Sequence, residues 1–575
     1  MKTPKSIPYG LADFRSLILN NFYYVDRTSF IRKIEESHNY LFFLRPRRFG
    51  KSLTISMLEY YYGIQYKDEF DSMFSGLFIG NPENTTKGKN NYFVLRFDFT
   101  GINTSNIDDV LSEFNKKVQN ALKTFNDNYK LIDEEKYSRI MQNIYPSATL
   151  SEYITEVLTK LDHKIMVLID EYDHFTNEIF SFQNTSFVEL VSQNGFVRKF
   201  YESIKFFAGT GVIERFFATG VTPVTLDSMT SGFNIGTNIS LEAEFNEMAG
   251  FTNEEVEKMI YDLLPGIQKI EADKILTDAS SWYNGSLFSK RADTRLYNPA
   301  LLLRFLSKIE PVTLQYPDDM VDNNILTDFS KITNLTELGK LEDNLSVIDT
   351  IIKEGSYPSE LTTIFTFERD FTEQDFASLL YYNGLLTIKG VKDFDLYLQI
   401  PNYVIKEVYW EFFASVLQKE IEIDIKVNEI RQAIKALANL NDPLPLMKIV
   451  ETVLITLSNR DFINFDEKYV KMLIFVYASL AKRYKIKSEP EVNLNYPDLM
   501  LLNSQSFFPE HQQLFEVKYI KREAADSLEK VKSSAISQVR RYMELPEIKE
   551  IKNLKFWVII FTGNKCSDCT EVIRL

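Results

Sequence analysis

Five strand-forming residues, Tyr40–Leu44 (YLFFL), run directly into Arg45-Pro46-Arg47-Arg48-Phe49-Gly50-Lys51-Ser52 and then into a helical stretch over Ser52–Tyr62. No other segment constrains the fold as strongly. A buried strand that turns at once into a helix implies a crossover back to a parallel neighbour. The alternation continues with Tyr92–Phe99 (YFVLRFDF), Ile165–Ile169 (IMVLI) and Phe216–Thr219, each separated by helical stretches. The first ~240 residues therefore read as α/β, a mostly parallel sheet flanked by helices. The polar, Asn-rich segment Asn81–Asn91 reads as a surface loop.

The basic turn has a chemistry of its own. A P-loop reads G-x-x-x-x-G-K-[ST], and here Gly50, Lys51 and Ser52 match while Arg45 stands at the first glycine position. Such a loop turns backbone N–H groups inward at a helix N-terminus, where the dipole favours phosphate. Arg45, Pro46, Arg47, Arg48, Phe49, Gly50, Lys51, Ser52 and Leu53 form the expected cradle. Lys51 would reach the β and γ phosphates, and Ser52 would hold Mg²⁺. An ordinary basic βα turn is the alternative.

A second element favours the phosphate reading. Ile165–Ile169 ends in Asp170-Glu171, two carboxylates at the C-terminal end of an apolar strand. Asp170 can bind Mg²⁺, often through water, and Glu171 can polarise an attacking water. Thr219, closing the strand Phe216–Thr219, can sense a γ-phosphate. Read alone, each is also an ordinary polar strand end.

From Gly250 the pattern becomes helical. Thr252 is placed to cap a helix over Glu254–Leu264, with Glu255 completing a capping box, and Asn298–Ile309 is another helix. Asp375–Tyr382 (helix), Leu385–Lys389 and Leu396–Ile400 (strands) and Val404–Phe413 (helix) read as a small winged-helix-like unit. The expected division is residues 1–245, 246–415 and 416–575.

The last part mixes helix and strand again. Tyr469–Ala481 is nearly continuously apolar and reads as a buried helix. Leu499–Leu502 and Leu514–Tyr519 look like paired strands. Leu528, Val531, Ala535, Val539 and Tyr542 mark one helix face, and Lys555–Thr562 closes as a strand. In Phe515-Glu516-Val517-Lys518 the period of two puts Glu516 and Lys518 on one face. If the strands pair, Asp498 of Pro497-Asp498-Leu499 lies beside Glu516. Two close carboxylates repel, and a divalent oxygen-seeking cation such as Mg²⁺ or Mn²⁺ relieves this. The cation would activate water and stabilise a phosphodiester transition state, with Lys518 assisting. Taken by itself, Glu-Val-Lys is an amphipathic strand edge.

Charge and cysteine content narrow the classes. A formal charge of −15 excludes a generic basic nucleic-acid coat but not a local basic groove. Two cysteines exclude a disulfide scaffold, and Cys566-x-x-Cys569 lacks the second ligand pair that zinc needs. No apolar run approaches the ~18 residues of a membrane span, and the N-terminus lacks a signal-peptide stretch. A cytoplasmic protein without membrane association is the expectation. His511 reads as incidental, the aromatics as core, and Lys482, Arg483, Lys485 and Lys487 as a solvated helix end or a phosphate-backbone contact.

RPRRFGKS, LIDEYD and ATGVTP resemble the AAA-ATPase-like family of P-loop NTPases, often fused to a C-terminal PD-(D/E)XK nuclease domain. YVDRTSFI, GFTNEEV, WYNG, YNPALLLRFL, LLYYNGLLTI and IPNYVIKEVYW extend the resemblance across nearly the whole chain. In that family the missing first glycine is usual. The resemblance implies a P-loop domain, a helical lid with a winged-helix-like region, and a restriction-endonuclease-like α/β domain. It implies ATP and Mg²⁺ as cofactors, with Lys51, Ser52, Asp170 and Glu171 in the roles above. Asp498, Glu516 and Lys518 correspond to the nuclease motif, Glu467 to its additional acidic position, and Gln538 to a frequent auxiliary polar residue. It assigns no arginine finger; Arg215 and Arg198 are candidates. The leading expectation is an ATP-hydrolysing protein whose Mg²⁺-dependent cleavage of nucleic acid, DNA first, follows nucleotide state. The alternative is a nucleotide switch binding nucleic acid or protein with an inactive nuclease domain, and a variant of it is an ATPase that forms homo-oligomers on ATP.

Overall fold

The computed structural model describes residues 5–104, 106–174, 195–223, 233–317, 320, 332–333, 335–365, 370–409, 412, 427–457, 467–480, 483–488, 497–503, 509–522 and 527–574. The chain divides into two compact units, Met1–Ile309 with Ser330–Ile405, and Glu310–Phe329 with Lys406–Leu575. The helical stretches from Gly250 to Ile309 and the helix and hairpin of the winged-helix-like region therefore share a unit with the N-terminal sheet, while the expected last helix of that region crosses the boundary at Ile405.

In the first unit, β1 (Tyr40–Leu44), β2 (Tyr92–Asp98), β3 (Lys164–Asp170), β4 (Ile213–Gly220) and β5 (Thr237–Asn238) form one sheet in the order β2-β3-β4-β1-β5. All its pairings are parallel. Burial on both faces explains why β1 and β3 are unbroken apolar runs. The order inserts β4 between β1 and β3, pairing Phe43 with Thr219 and Ile169 with Ala218. The C-terminal ends of three neighbouring strands thus bring the Arg45 turn, Thr219 and Asp170 to one edge, where open parallel sheets bind ligands.

Aromatic side chains fill the layer beside the sheet, as the sequence led us to expect. Phe99 stacks on Phe114 with centroids 4.5 Å apart, and Phe97 meets Phe200 edge-on at 5.3 Å. Arg27 of YVDRTSFI makes a two-pronged ion pair with Glu255 of GFTNEEV, at 2.5 and 2.6 Å, and donates to the Gly250 carbonyl at 2.7 Å. Thr252 and Glu255 form the expected capping box on the helix Asn253–Leu263. The helix Glu373–Tyr382, the hairpin β7 (Thr387–Lys392) and β8 (Asp395–Gln399), and helical residues 403–409 reproduce the helix–hairpin–helix order. A two-residue strand, β6 (Tyr357–Pro358), completes that small sheet. The expected helix over Val404–Phe413 continues partly outside the described residues.

In the second unit, β9 (Tyr484–Ser488), β10 (Leu499–Asn503), β11 (Gln512–Ile520), β12 (Leu554–Thr562) and β13 (Lys565–Glu571) form a mixed sheet in the order β13-β12-β11-β10-β9. Only β11 and β12 run parallel within it. Ala535, Val539 and Tyr542 of the helix Leu528–Met543 pack on Met500, Leu514, Val558 and Ile560. The helix Glu467–Leu480 packs against β11. One expectation is corrected. Lys555–Thr562 does not end the sheet, because β13 follows it antiparallel to β12. Its polar sequence KCSDCTE carries no strand signature, and the ladder to β12 supplies what propensity does not. Cys566 and Cys569 lie on this strand, and burial pushes the Cys566 thiol up to about 12.

Candidate active sites

The turn after β1 is held by two left-handed residues, Arg48 at φ +70° and Gly50 at φ +89°. A Cβ at Gly50 would meet nothing within 4 Å in the protein, so its dihedral, and not crowding by neighbouring protein atoms, calls for glycine. Lys51 opens the helix Lys51–Tyr62, and its buried ammonium donates to the carbonyls of Arg45 at 3.0 Å and Pro46 at 3.1 Å. Burial holds the amine below its ordinary value, against the pull of Glu171, Asp170 and Asp173. A phosphate arriving here would replace neutral acceptors by charged ones.

Arg45 is placed differently from the rest of the turn. Its side chain is 1% exposed and donates to the carbonyls of Leu44 (2.9 Å), Ser240 (2.8 Å) and Phe245 (2.8 Å). The guanidinium lies over the rings of Phe43 and Phe288, and burial lowers its pKa to about 9. The Arg45 backbone N–H donates to the Gly220 carbonyl. Arg45 therefore ties the turn to β4 and to residues 240–245, and its guanidinium has acceptors already. Phe49 packs edge-on against Phe288, and the Arg47 carbonyl accepts from the Asn298 amide at 3.3 Å.

Asp170 is 3% exposed and accepts from the Thr219 hydroxyl at 2.7 Å. Burial raises its pKa, opposed by hydrogen bonds from Ser52 and Thr219 and by the charge of Lys51. Ser52, Asp170 and Thr219 thus converge. Glu171 sits at φ +52°, with its Oε2 3.0 Å from Nδ1 of His174, and this contact lowers its pKa to about 2 against the effect of burial. Asp173, which the sequence reading passed over, accepts from the N–H groups of Val221 and Thr222 and from the Thr222 hydroxyl. The signal was present in LIDEYDH, where a third acid and a histidine follow Asp170-Glu171, but its partners lie just beyond the end of β4. Arg215 donates to the carbonyls of Ile34 and Glu35, and Arg198 pairs with Glu202 on its own helix. Neither is brought to this site by the contacts it makes.

In the second unit, β10 and β11 pair antiparallel with Leu499 opposite Phe515, so Asp498 comes opposite Glu516. Asp498 Oδ2 accepts from the Val517 N–H at 2.7 Å. Glu516 is 0% exposed; its Oε1 is 2.7 Å from Lys518 Nζ and its Oε2 has no hydrogen-bond partner among the described residues. Burial, then the charge of Asp498, pushes the Glu516 carboxyl up to about 7, and burial raises Asp498 as well. Burial works against the Lys518 ammonium, but Asp498 and Glu516 outweigh it and hold its pKa above the ordinary value.

Glu467 reaches the same place through lysines. Its Oε1 lies 3.3 Å from Lys518 Nζ and 3.0 Å from Lys471 Nζ, and Lys471 also contacts Asp498 Oδ1. Among the described residues no three His, Cys, Asp or Glu side chains are grouped to hold a metal. The expected trio of Glu467, Asp498 and Glu516 is thus not assembled, because two ammonium groups stand among the acids. Asp498 and Glu516 do fit a cation such as Mg²⁺, which uses one or two carboxylates and keeps several waters. The buried, unpartnered Glu516 Oε2 is the oxygen such an ion would satisfy. Gln538 donates to the Tyr542 hydroxyl at 2.5 Å, and that phenol feels Glu516, Asp498 and Lys518. Gln538 is therefore linked to the site through Tyr542, a residue the sequence reading took only as core. Lys471 was also missed, although it is the one charge in the apolar stretch Tyr469–Ala478, four residues after Glu467. His511 uses backbone groups, donating to Ala438 and accepting from Tyr484. Lys482, Tyr496 and the side chains of Lys485 and Lys487 lie outside the described residues.

Two family models match separate parts of the chain. A family model described as Predicted AAA-ATPase, of the AAA-ATPase-like type, matches residues 8–230. A PD-(D/E)XK nuclease superfamily model matches residues 465–571. An "uncharacterized protein in vnfD 5'region" of Azotobacter chroococcum mcd 1 is 26% identical over 309 residues, 53% of this chain and 52% of that protein. The chain thus spans about half the length of this curated relative.

Proposed function

We propose that this chain, with an AAA-ATPase-like domain over residues 8–230 and a PD-(D/E)XK nuclease superfamily domain over residues 465–571, hydrolyses ATP at the first and cleaves nucleic acid, DNA in the first instance, at the second. Nucleotide state controls cleavage in this reading, and the protein works in the cytoplasm. At the first site the Lys51 ammonium exchanges the carbonyls of Arg45 and Pro46 for phosphate oxygens. Thr219 orients Asp170, and Glu171 accepts the proton of an attacking water. At the second, Lys518 orients water and meets charge on the phosphodiester while Gln538 and Tyr542 fix the wall behind it. Mg²⁺ held by Ser52 and Asp170, or by Asp498 and Glu516, would neutralise phosphate charge and acidify water.

The observation that carries the reading is Glu516, fully buried beside Asp498 with one carboxylate oxygen unpartnered. An acid so placed costs stability unless it has a ligand to hold. The test is cleavage of DNA and RNA with Mg²⁺, with and without ATP, by wild type, Lys51→Ala and Lys518→Ala. Cleavage should vanish in Lys518→Ala and lose its response to ATP in Lys51→Ala. Cutting that persists unchanged in Lys518→Ala sinks the nuclease assignment.

A second reading has one observation in its favour, the lysine already paired with Asp498. It makes the chain a nucleotide switch that binds nucleic acid or protein without cutting, assembling as a homo-oligomer on ATP. Light scattering with and without ATP, beside the cleavage assay, separates the two.

A further inference from the structure

We propose that Lys471 is a resident counter-ion that competes with a divalent cation for Asp498, keeping the C-terminal site closed to metal until the lysine is displaced. The inference rests on the nuclease reading. Tyr469, Val470 and every residue from Met472 to Ala478 are buried and uncharged, so Lys471 is the one charged residue of the apolar stretch Tyr469–Ala478. Its side chain is 12% exposed and is aimed at the acids, contacting Asp498 Oδ1 and lying 3.0 Å from Glu467 Oε1. Asp498 Oδ2 already accepts the Val517 N–H. Lys471 therefore takes the oxygen of Asp498 that a cation would need.

The charge balance points the same way. With all three acids ionised, as a bound cation requires, Glu467, Asp498 and Glu516 carry three negative charges against the two positive ones of Lys471 and Lys518, a net −1. A divalent ion added with Lys471 in place makes the site net positive in a poorly solvated setting, where repulsion is strong. Lys518 lies 2.7 Å from Glu516 Oε1, whereas Lys471 holds the Asp498 oxygen that a cation would take, on a flexible four-carbon stem that can swing toward solvent or a phosphate. Occupancy by metal and the inward position of Lys471 are then mutually exclusive, and whatever draws the lysine away, a nucleic-acid phosphate included, promotes metal binding.

A lysine that only braced the helix would have the opposite signature, since its removal would loosen Asp498 and weaken metal binding. The discriminating measurement is Mn²⁺ affinity of the full chain without nucleotide, read by electron paramagnetic resonance of free Mn²⁺. Lys471→Met should bind Mn²⁺ about tenfold tighter than wild type, the scale expected for removing one nearby like charge. Lys471→Gln keeps a hydrogen bond to the same acids, guards against misfolding, and should shift in the same direction. Unchanged or weaker binding in both variants, with Asp498→Asn abolishing it, overturns the counter-ion role and leaves the metal site standing. Mn²⁺ binding that survives in both Asp498→Asn and Glu516→Gln overturns the nuclease reading itself.

Discussion

Removing the Asp173 carboxylate tests how the first site is held together. The side chain is 1% exposed and accepts from the Val221 N–H at 3.0 Å, the Thr222 N–H at 2.6 Å and the Thr222 hydroxyl at 3.0 Å. These donors continue from β4 directly after Thr219 and Gly220, so Asp173 fastens the end of that strand to the turn carrying Asp170 and Glu171. Hydrogen bonds to a charged acceptor contribute about 1.5–3 kcal/mol each, while burying the carboxylate costs several kcal/mol in return. Asp173→Ala leaves three buried donors without an acceptor, at about 1–3 kcal/mol for each left unsatisfied, and the net loss should be about 3–5 kcal/mol. For a unit of this size that is about 5 °C in melting temperature. Asp173→Asn should fare little better, because both oxygens accept and an amide turns one of them into a donor. Gly220→Ala attacks the same latch from the other side, since its Cβ would stand 2.4 Å from Asp173 Oδ1 and 2.3 Å from a Tyr172 ring carbon. Scanning calorimetry of the full chain, with and without ATP and Mg²⁺, reads both the melting temperature and its rise on binding. Asp173→Ala melting within about 1 °C of wild type, with the ATP-induced rise intact, would refute the latch; the expected loss is about 5 °C.

Other outcomes follow from the same geometry. Lys51→Met should abolish the ATP-induced rise in melting temperature without lowering the melting temperature of the nucleotide-free chain, because burial already disfavours that ammonium. Arg27→Ala should destabilise the first unit by about 2–3 kcal/mol in urea unfolding, since Glu255 and the Gly250 carbonyl lose their partner together. The Glu516 carboxyl, raised to about 7 from 4.5, holds its proton longer folded than unfolded. Its contribution to stability is therefore full below about 4.5 and is lost as pH rises through about 7. Metal-free Glu516→Gln should flatten that part of the stability profile, and an identical slope in wild type and variant would count against the burial.

How much of this was legible depended on whether the signal was local. YLFFL, IMVLI and FWVIIF announce buried strands by composition, and the period of two by itself puts Glu516 and Lys518 on one face. Gly50, with its positive φ, and the capping box of Thr252 and Glu255 are likewise short-range features. The strand KCSDCTE was hidden because its stability comes from β12. The two ends of LIDEYDH differ in the same way: Asp170 and Glu171 were readable as strand-end acids, whereas the role of Asp173 needs residues 221 and 222 beside it.

The chain's own order of residues determined that two stretches were suited to phosphate chemistry, through a Gly-Lys-Ser turn after a strand and an acid–lysine pair two residues apart. Tertiary structure alone decided that β4 lies between β1 and β3, placing Thr219 on Asp170. It also turned Arg45 from a loop cation into a buried clasp on three carbonyls, and set Lys471 against Asp498 across helix and sheet. The physical reason is range. Dihedral preference and side-chain alternation act over a few residues and are written in them, while the partner of a buried charge is chosen by whichever distant segment the packing brings within about 3 Å.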